Sequence, residues 1–555
     1  MAGLGTSPGD VTIHGSIDVH NQCTTTAGKT SCTALDNFWR SLSNLTIDLP
    51  KTTSCYTNAE FWAVSQAAPM RRVAVNGGNV TLQDYCTAGP QYASGGFIAG
   101  STFSGGTIIN GSQQQFIVRN SNLDGWTNGV WNQVFVGDHG APPQSFTSGD
   151  PQGTPPYTTV ARTPVSQAPP FLTTDAGGRL QVRVPALRHD SVGPSWTSGA
   201  TPGATVPIGD FFVARPGDRA GRINAALARG QDLLLTPGVY HLDHAISVTR
   251  PDTVVLGLGF ATLVPEHGNP AMRVASVPGV ELSGMIFDAG PVSSPVLLQV
   301  GGCAPASGGH GAHGRPTGHG RCRPVPEGPG AQGPGSQGHG QGKGPGHGPA
   351  PASNRAHPTL VSDVFFRIGG ATPGRAVDSL VVDSSHVILD DVWAWRADHG
   401  AGVGWTKNTA ATGVVVNGND VTAYGLFVEH YQKDEVVWNG QGGKDFFFQN
   451  EMPYDPPSQA AWMATPATNG YPAFVVSPGV TSFQGYGMGS YCYFDQGVAI
   501  HSAEAFSVPH GPGVQLHDIF TRFLNGSGGI DHVIDGTGPP VNAASPGPSD
   551  LVSYP

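Results

Sequence analysis

Val415-Val416-Asn417-Gly418 and Val437-Trp438-Asn439-Gly440 are two copies of one short unit. Each is followed, twelve residues after its Asn, by a glutamate: Glu429 in the first copy, Glu451 in the second. Aligned on their first Val, four units span residues 381–400, 415–434, 437–456 and 475–494, at offsets of 22 to 38 residues. Such offsets suit a right-handed parallel β-helix, in which each coil adds short strands to long parallel sheets. Coils stack at the normal strand spacing of about 4.8 Å, so residues at equal offsets form ladders along the axis. Fourteen residues after the first Val, the expected ladder is Trp395, Glu429, Glu451 and Gly489. An aromatic, two acids and a glycine are poor core material, and the ladder is expected on an exposed concave face.

Composition agrees with an all-β reading. Only 12% of the 555 residues are charged, while 80 Gly and 48 Pro make up nearly a quarter of the chain. That is rich in turn formers and poor in helix formers. The net charge of −11 is spread along the chain and offers no basic stripe for nucleic acid. No window approaches the roughly 20 apolar residues of a membrane helix. The partner is expected to be a polysaccharide, with neither nucleic acid nor membrane involved, and the chain is expected to act as a monomer. Seven cysteines are present; Cys23, Cys32, Cys55 and Cys86 lack zinc-site spacing and are either disulfide-bonded or free buried thiols.

Along the chain, residues 1–150 show short β runs at 11–17, 45–49, 72–75, 107–109, 115–119 and 130–136, split by Gly, Asn and Ser turns. They are expected to form a first β-helix. Residues 151–206 are a Pro/Thr/Ser/Gly-rich linker with a few strands, such as 180–184. Residues 207–555 form a second β-helix, introduced by one short amphipathic helix at 220–228. The Gly/Pro/His-rich stretch 303–357 within it has no apolar period and is expected to be disordered. Its scattered histidines lack the supporting shell of a metal site, and no metal or cofactor is expected. The second half carries coils, such as Asp232-Leu233-Leu234-Leu235 ahead of Gly257-Leu258-Gly259, whose counterparts are missing ahead of Gly3-Leu4-Gly5. The first β-helix is therefore expected to be truncated at its N-terminus, with any secretion signal lost alongside, and the protein to be extracellular.

Chemistry is sought at the glutamates. Two stacked carboxyls repel when both are ionised, and aromatic neighbours add desolvation, so at least one pKa is expected to rise. A raised carboxyl is what a general acid near neutral pH requires. Paired carboxylates are also the minimal equipment for cleaving a glycosidic bond. Around them fall Trp395, Trp405, Tyr424, Tyr431, Trp438, Tyr454 and Trp462. Flat aromatic faces suit the apolar C–H face of a sugar, though such residues also serve as core. Asp398 and His399 are candidates for binding hydroxyls, with turn capping the alternative for Asp398. In Ser112-Gln113-Gln114-Gln115, consecutive amides face both sides of a strand, so one, such as Gln114, can hold a water or a sugar hydroxyl.

The run Val428-Glu429-His430-Tyr431-Gln432, then Val437-Trp438-Asn439-Gly440, then Phe448-Gln449-Asn450-Glu451-Met452-Pro453-Tyr454 resembles glycoside hydrolase family 55, a group of β-1,3-glucanases. Trp62-Ala63-Val64-Ser65-Gln66-Ala67-Ala68, Gly95-Gly96-Phe97-Ile98 and Asn128-Gly129-Val130-Trp131-Asn132 resemble the same family. The resemblance implies two pectin-lyase-like β-helices side by side with the active site in the cleft between them, and exo-acting, inverting release of glucose. It maps the general acid onto Glu451 and a second acid onto Glu429. The expected substrate contacts are Gln114, Trp395, Asp398, His399, Tyr431, Trp438 and Tyr454. Inverting enzymes hold their carboxyls about 6.5–9.5 Å apart, whereas a strict ladder gives about 5 Å. Either side-chain splay resolves this, or Glu429 helps hold the water together with an amide. Two rivals are a lyase or polygalacturonase on a similar solenoid, and a non-catalytic carbohydrate-binding or adhesion β-helix.

Overall fold

In the computed structural model, residues 1–51, 55–56, 58–147, 155–302 and 354–555 are described. Two parallel β-helices lie side by side. In the first, one sheet runs through Thr12–His14, Leu42–Asp48, Met70–Asn76, Phe97–Ala99, Gln115–Arg119, Asn132–Val136 and Tyr157–Val160, every pair parallel. In the second, a longer sheet runs from Phe211–Ala214 to Val514–Gly526. It includes Thr359–Ile368, Val387–Arg396, Thr422–Glu429, Gly443–Glu451 and Phe483–Phe494. An antiparallel strand, Ser549–Tyr554, closes its end. Between the stacks, strands from Thr163–Ser166 to Gly203–Pro207 pair antiparallel. The helix expected at 220–228 is Ala220–Ala228. Most of the Gly/Pro/His-rich stretch expected at 303–357, residues 303–353, lies outside the described residues.

The aligned valines are register partners: Val381 with Val415, Val415 with Val437, and Val437 with Val475. Trp395 likewise pairs with Glu429. The fourth rung differs from expectation. Glu451 pairs with Tyr491, while Gly489 pairs with Gln449. The turn after Val475-Val476 runs to Phe483, two residues longer than the turn between Trp438 and its pairing partner's counterpart Gly443, and shifts the next strand by two.

Six successive long strands of the second stack, from Thr359–Ile368 to Val514–Gly526, share one left-handed rung. Asp363, Asp391, Gly425, Phe447, Gly487 and Asp518 occupy matched rungs with φ between 51° and 83°. A corresponding column in the first stack comprises Asn44, Arg72, Gly100, Asn120 and Gly137, with φ between 49° and 65°. Asn and Asp tolerate this backbone region and glycine is free in it. At Gly425 and Gly487 a second reason applies. A Cβ would lie 2.7 Å from Phe97 Cδ2 and 2.3 Å from Val134 Cγ2 respectively. The corner of the second β-helix is thus pressed onto the first.

That interface is apolar around Phe97, Ile117, Val134, Trp393, Tyr424 and Phe427, and ionic at one end. Arg71 meets Asp363 at 2.7 Å and Asp390 at 2.8 Å, and Arg119 meets the same Asp390 oxygen at 2.8 Å. Both cysteine pairs of the N-terminal region are disulfides, Cys23–Cys32 and Cys55–Cys86. Among the described residues, no helix is long and apolar enough to cross a membrane.

Removing one partner of a buried ion pair leaves an uncompensated charge, at about 3–5 kcal/mol. Asp390 is fully buried between two guanidinium groups. We expect Asp390→Asn to lower stability by about that amount, read as a lower urea midpoint in tryptophan fluorescence. An unchanged midpoint would show that the ionic cluster does not hold the two stacks together.

Candidate active site

Glu429 ends the strand Thr422–Glu429 and Glu451 ends Gly443–Glu451, so adjacent coils deliver both to the same edge of the stack. That edge faces the first β-helix across a cleft of about 600 Å³. Of the residues expected there, Glu429, Glu451, Gln114, Trp395, Asp398, His399 and Tyr454 all line it. The concave face is less exposed than expected, since Glu429 is 3% and Glu451 8% accessible.

Two expected contacts are not in the cleft. Tyr431 is wholly buried inside the second stack, its hydroxyl 2.5 Å from Ser379 Oγ. The intervening His430 has φ 68°, a left-handed turn that carries the next side chain inward. Trp438 is the last residue of Val436–Trp438, where 436 and 438 face inward and 437 outward. Its ring packs against Phe474 and Phe483. Both aromatics are core.

Several residues complete the site that were not anticipated. Gln66, from the first β-helix, donates from Nε2 to Glu429 Oε1 at 2.7 Å. Trp393 donates from Nε1 to Glu429 Oε2 at 2.8 Å. Ser94 Oγ donates to Gln66 Oε1 at 2.8 Å, fixing which way that amide points. Gln449 donates to the Ser94 carbonyl and, at 3.4 Å, to Gln114 Oε1. The sequence held one signal for Trp393: it stands two residues before Trp395, and alternate strand residues share a face. The two indoles stack with centroids 5.0 Å apart and planes at 17°, and Phe38 of the first stack packs 4.9 Å from Trp393.

Glu451 is held differently. The Tyr454 hydroxyl donates to its Oε2, and His430 Nε2 lies 3.9 Å from the same oxygen. His430 Nδ1 is 3.2 Å from the Met452 carbonyl, which only accepts, so this nitrogen carries a proton. The Tyr454 segment is anchored from below, where the buried Arg396 grips Asp455 through both nitrogens at 2.8 and 2.9 Å.

Burial is the first cause that lifts both carboxyls. The Glu451 charge then pushes Glu429 well above the ordinary carboxylate range, and Asp398 pushes both further. For Glu451, His430 and Tyr454 partly offset the rise. Burial would also lift Asp398, but the hydrogen bond from His399 and the nearby His430 hold it at about 2, so it stays ionised. His399 is raised in turn, first by that hydrogen bond. The cleft therefore has one carboxylate held ionised and two carboxyls whose pKa values are raised together by burial and by their neighbouring charges. The donors differ: both oxygens of Glu429 accept N–H bonds, whereas Glu451 is engaged through Oε2 alone.

The LAM55 pectate lyase-like domain family matches residues 211–319 and 337–451, and the rhamnogalacturonase A/epimerase pectate lyase-like family matches residues 7–134. The chain is 42% identical to an exo-β-1,3-glucanase of Streptomyces sp. SirexAA-E, over all of this chain and 80% of that protein. It is similar to the solved structure of sacteLam55A from the same organism, with a TM-score of 0.83 and 41% identity over 88% of that chain. A Glu-to-Ala variant of that protein, in complex with glucose, is matched with a TM-score of 0.82.

The raised carboxyls make stability depend on pH. The folded state keeps protons that the unfolded chain releases near pH 4.5, so this contribution is present below that pH and is lost as pH rises toward the folded pKa values. Glu60 and Glu281, both pushed up to about 8 by burial, act with the same sign. Glu451→Gln removes one raised carboxyl and the charge that lifts Glu429. We expect its Tm to fall less between pH 5 and pH 8 than that of the wild type. Equal slopes in the two proteins would show that neither Glu451 nor its charge on Glu429 contributes to the pH dependence.

Proposed function

This chain belongs to glycoside hydrolase family 55, the LAM55 group of β-helix enzymes that hydrolyse β-1,3-glucan, and from that premise we propose that it releases glucose from a chain end with inversion, Glu451 acting as general acid and Glu429 as general base. The observation that carries these roles is the unequal anchoring of the pair. Glu429 is tied through both oxygens to Gln66 and Trp393, and Glu451 through one to Tyr454.

Each step follows from that anchoring. The Glu451 proton passes to the glycosidic oxygen as the bond to the anomeric carbon breaks. A water held by Glu429 attacks that carbon from the opposite face and gives its proton to the Glu429 carboxylate. The pair thus ends with its protons exchanged, and returning them through solvent resets the site. Trp393 belongs to the preceding coil, whereas Tyr454 packs 4.9 Å from Tyr493 of the following one. The anchors of the two carboxyls therefore lie toward opposite ends of the axis, the sense in which an inverting enzyme needs its carboxyls parted to admit a water. Asp398 and His399 beside them offer hydrogen-bond partners for sugar hydroxyls, and Trp395 an aromatic face. Gln114 stands at the first-stack wall, beside the amide chain that leads to Glu429.

An extracellular setting suits a polymeric substrate, and the two disulfides favour an oxidising compartment. We take the chain to act as a monomer, because side chains of both β-helices of this one chain line the cleft.

General acid catalysis contributes roughly 10²–10⁴-fold. We expect Glu451→Gln to lower kcat for glucose release from laminarin by about that factor, with folding intact by circular dichroism. Proton NMR of the first product formed should show the α-anomer. Wild-type turnover in Glu451→Gln would remove the acid assignment, the β-anomer as first product would remove inversion, and no release by the wild type would favour a binding module.

A further inference from the structure

A second cavity, of about 310 Å³, lies away from the glutamates, between the corner column of the first β-helix and the antiparallel segment 163–207. On the same measure one water needs roughly 10–15 Å³, so the space admits much more than a water. Four guanidinium side chains line it, those of Arg71, Arg72, Arg119 and Arg188. Arg71 and Arg119 are neutralised by Asp363 and Asp390. Arg72 and Arg188 are not. Arg72, 4% accessible, is bonded only to neutral oxygens: Thr201 Oγ1 at 2.7 Å, Asn44 Oδ1 at 3.3 Å and the Thr6 carbonyl at 3.4 Å. Arg188 donates to the carbonyls of Gly193 and Val192 at 2.9 and 3.2 Å. Among the described residues, neither has a carboxylate within ion-pair distance.

Holding cations out of water without a counter-charge is costly. Burial lowers Arg72 to about 10, with Arg183 adding to the fall, and it remains charged at neutral pH. Burial and the neighbouring Arg119 lower Arg188 as well. The arrangement is all the more notable in a chain of net charge −11. Apolar walls of Pro169, Pro185, Pro194 and Trp196 complete the cavity.

We propose that this cavity is a binding site for a small organic polyanion carrying two or more carboxylate or phosphoryl groups, with Arg72 and Arg188 as its cationic ligands and the proline and tryptophan walls enclosing its carbon skeleton. Planar guanidinium groups pair with such oxyanions through two parallel hydrogen bonds. By joining the corner column to the segment 163–207, a bound anion would stabilise the folded chain by mass action.

Citrate and inorganic phosphate are the probes, titrated calorimetrically and by thermal shift into the full chain at fixed ionic strength, with sodium chloride as the control. We expect saturable citrate binding at one site, tighter than phosphate, and a Tm rise of roughly 2 °C at a hundredfold excess over Kd. Arg188→Gln, at a half-buried position, and Arg72→Gln should each weaken citrate roughly tenfold or more. Arg222→Gln, on an exposed helix, should not. The absence of saturable citrate binding below about 10 mM, or equal affinity in Arg188→Gln and the wild type, would overturn the site. Phosphate binding as tightly as citrate would overturn the organic ligand. Neither readout uses turnover, so the result stands apart from the glutamate roles.

Discussion

The structure depends on a backbone constraint repeated from coil to coil: a matched residue of successive long strands is held in the left-handed region. In the second stack the column runs from Asp363 to Asp518, and in the first from Asn44 to Gly137. A single left-handed residue bends the strand without ending its pairing, so the ladder hydrogen bonds continue on both sides of the bend. The bend exposes a narrow ridge. In the second stack that ridge carries no side chain at Gly425 and Gly487, and it fits against Phe97 and Val134 of the first. Where the column carries aspartate instead, at Asp363, the side chain reaches Arg71. Small residues and acids thus divide one ridge between close packing and ion pairing, and the resulting contact fixes the width of the cleft.

Electrostatics in that cleft follow from the same docking. Three acids gather there, and repulsion alone would only raise their pKa values together. His399 separates Asp398 from the others by holding it ionised, and this fixed charge then adds to the rise of Glu429 and Glu451. Geometry separates the pair, with two N–H donors on one carboxyl against one hydroxyl on the other. Anchoring therefore distinguishes the two carboxyls more than burial, which is nearly equal for them.

The repeat was legible because parallel coils keep equal offsets only if their valines stack, and the alignment on Val381, Val415, Val437 and Val475 reproduces the register. It failed where the turn between Val476 and Phe483 grew by two residues, since a spacing taken from one strand says nothing of the next turn. The structure brings Glu429, Glu451, Trp395, Asp398, His399 and Tyr454 to one cleft because they share one edge of the stack. Tyr431 and Trp438 were misplaced because an aromatic looks alike in a sequence whether it faces in or out, and a left-handed residue at His430 reverses the expected alternation. Gln66 and Ser94 were invisible as a pair with Glu429, being 363 and 335 residues from it in the chain. In Ser112-Gln113-Gln114-Gln115, Gln113 turns inward to the Val64 and Leu82 carbonyls and Gln114 faces the cleft, but Gln115 also reaches the second stack, at the Phe448 carbonyl and the Tyr491 hydroxyl.

Glu429 is the point at which docking and chemistry meet. One of its two donors, Trp393, belongs to its own stack, and the other, Gln66, belongs to the first. Gln66 is oriented by Ser94, and Gln449 of the second stack returns a bond to the Ser94 carbonyl. These bonds close a ring that passes twice across the interface. If the stacks separate by even an ångström or so, the Gln66 bond stretches beyond hydrogen-bond range and one carboxylate oxygen loses its donor. A carboxylate so released has one bond fewer favouring its anion, so its pKa rises further. The ionic cluster at Arg71 and the glycines of the ridge, though they do not line the cleft, thereby act on the protonation of Glu429.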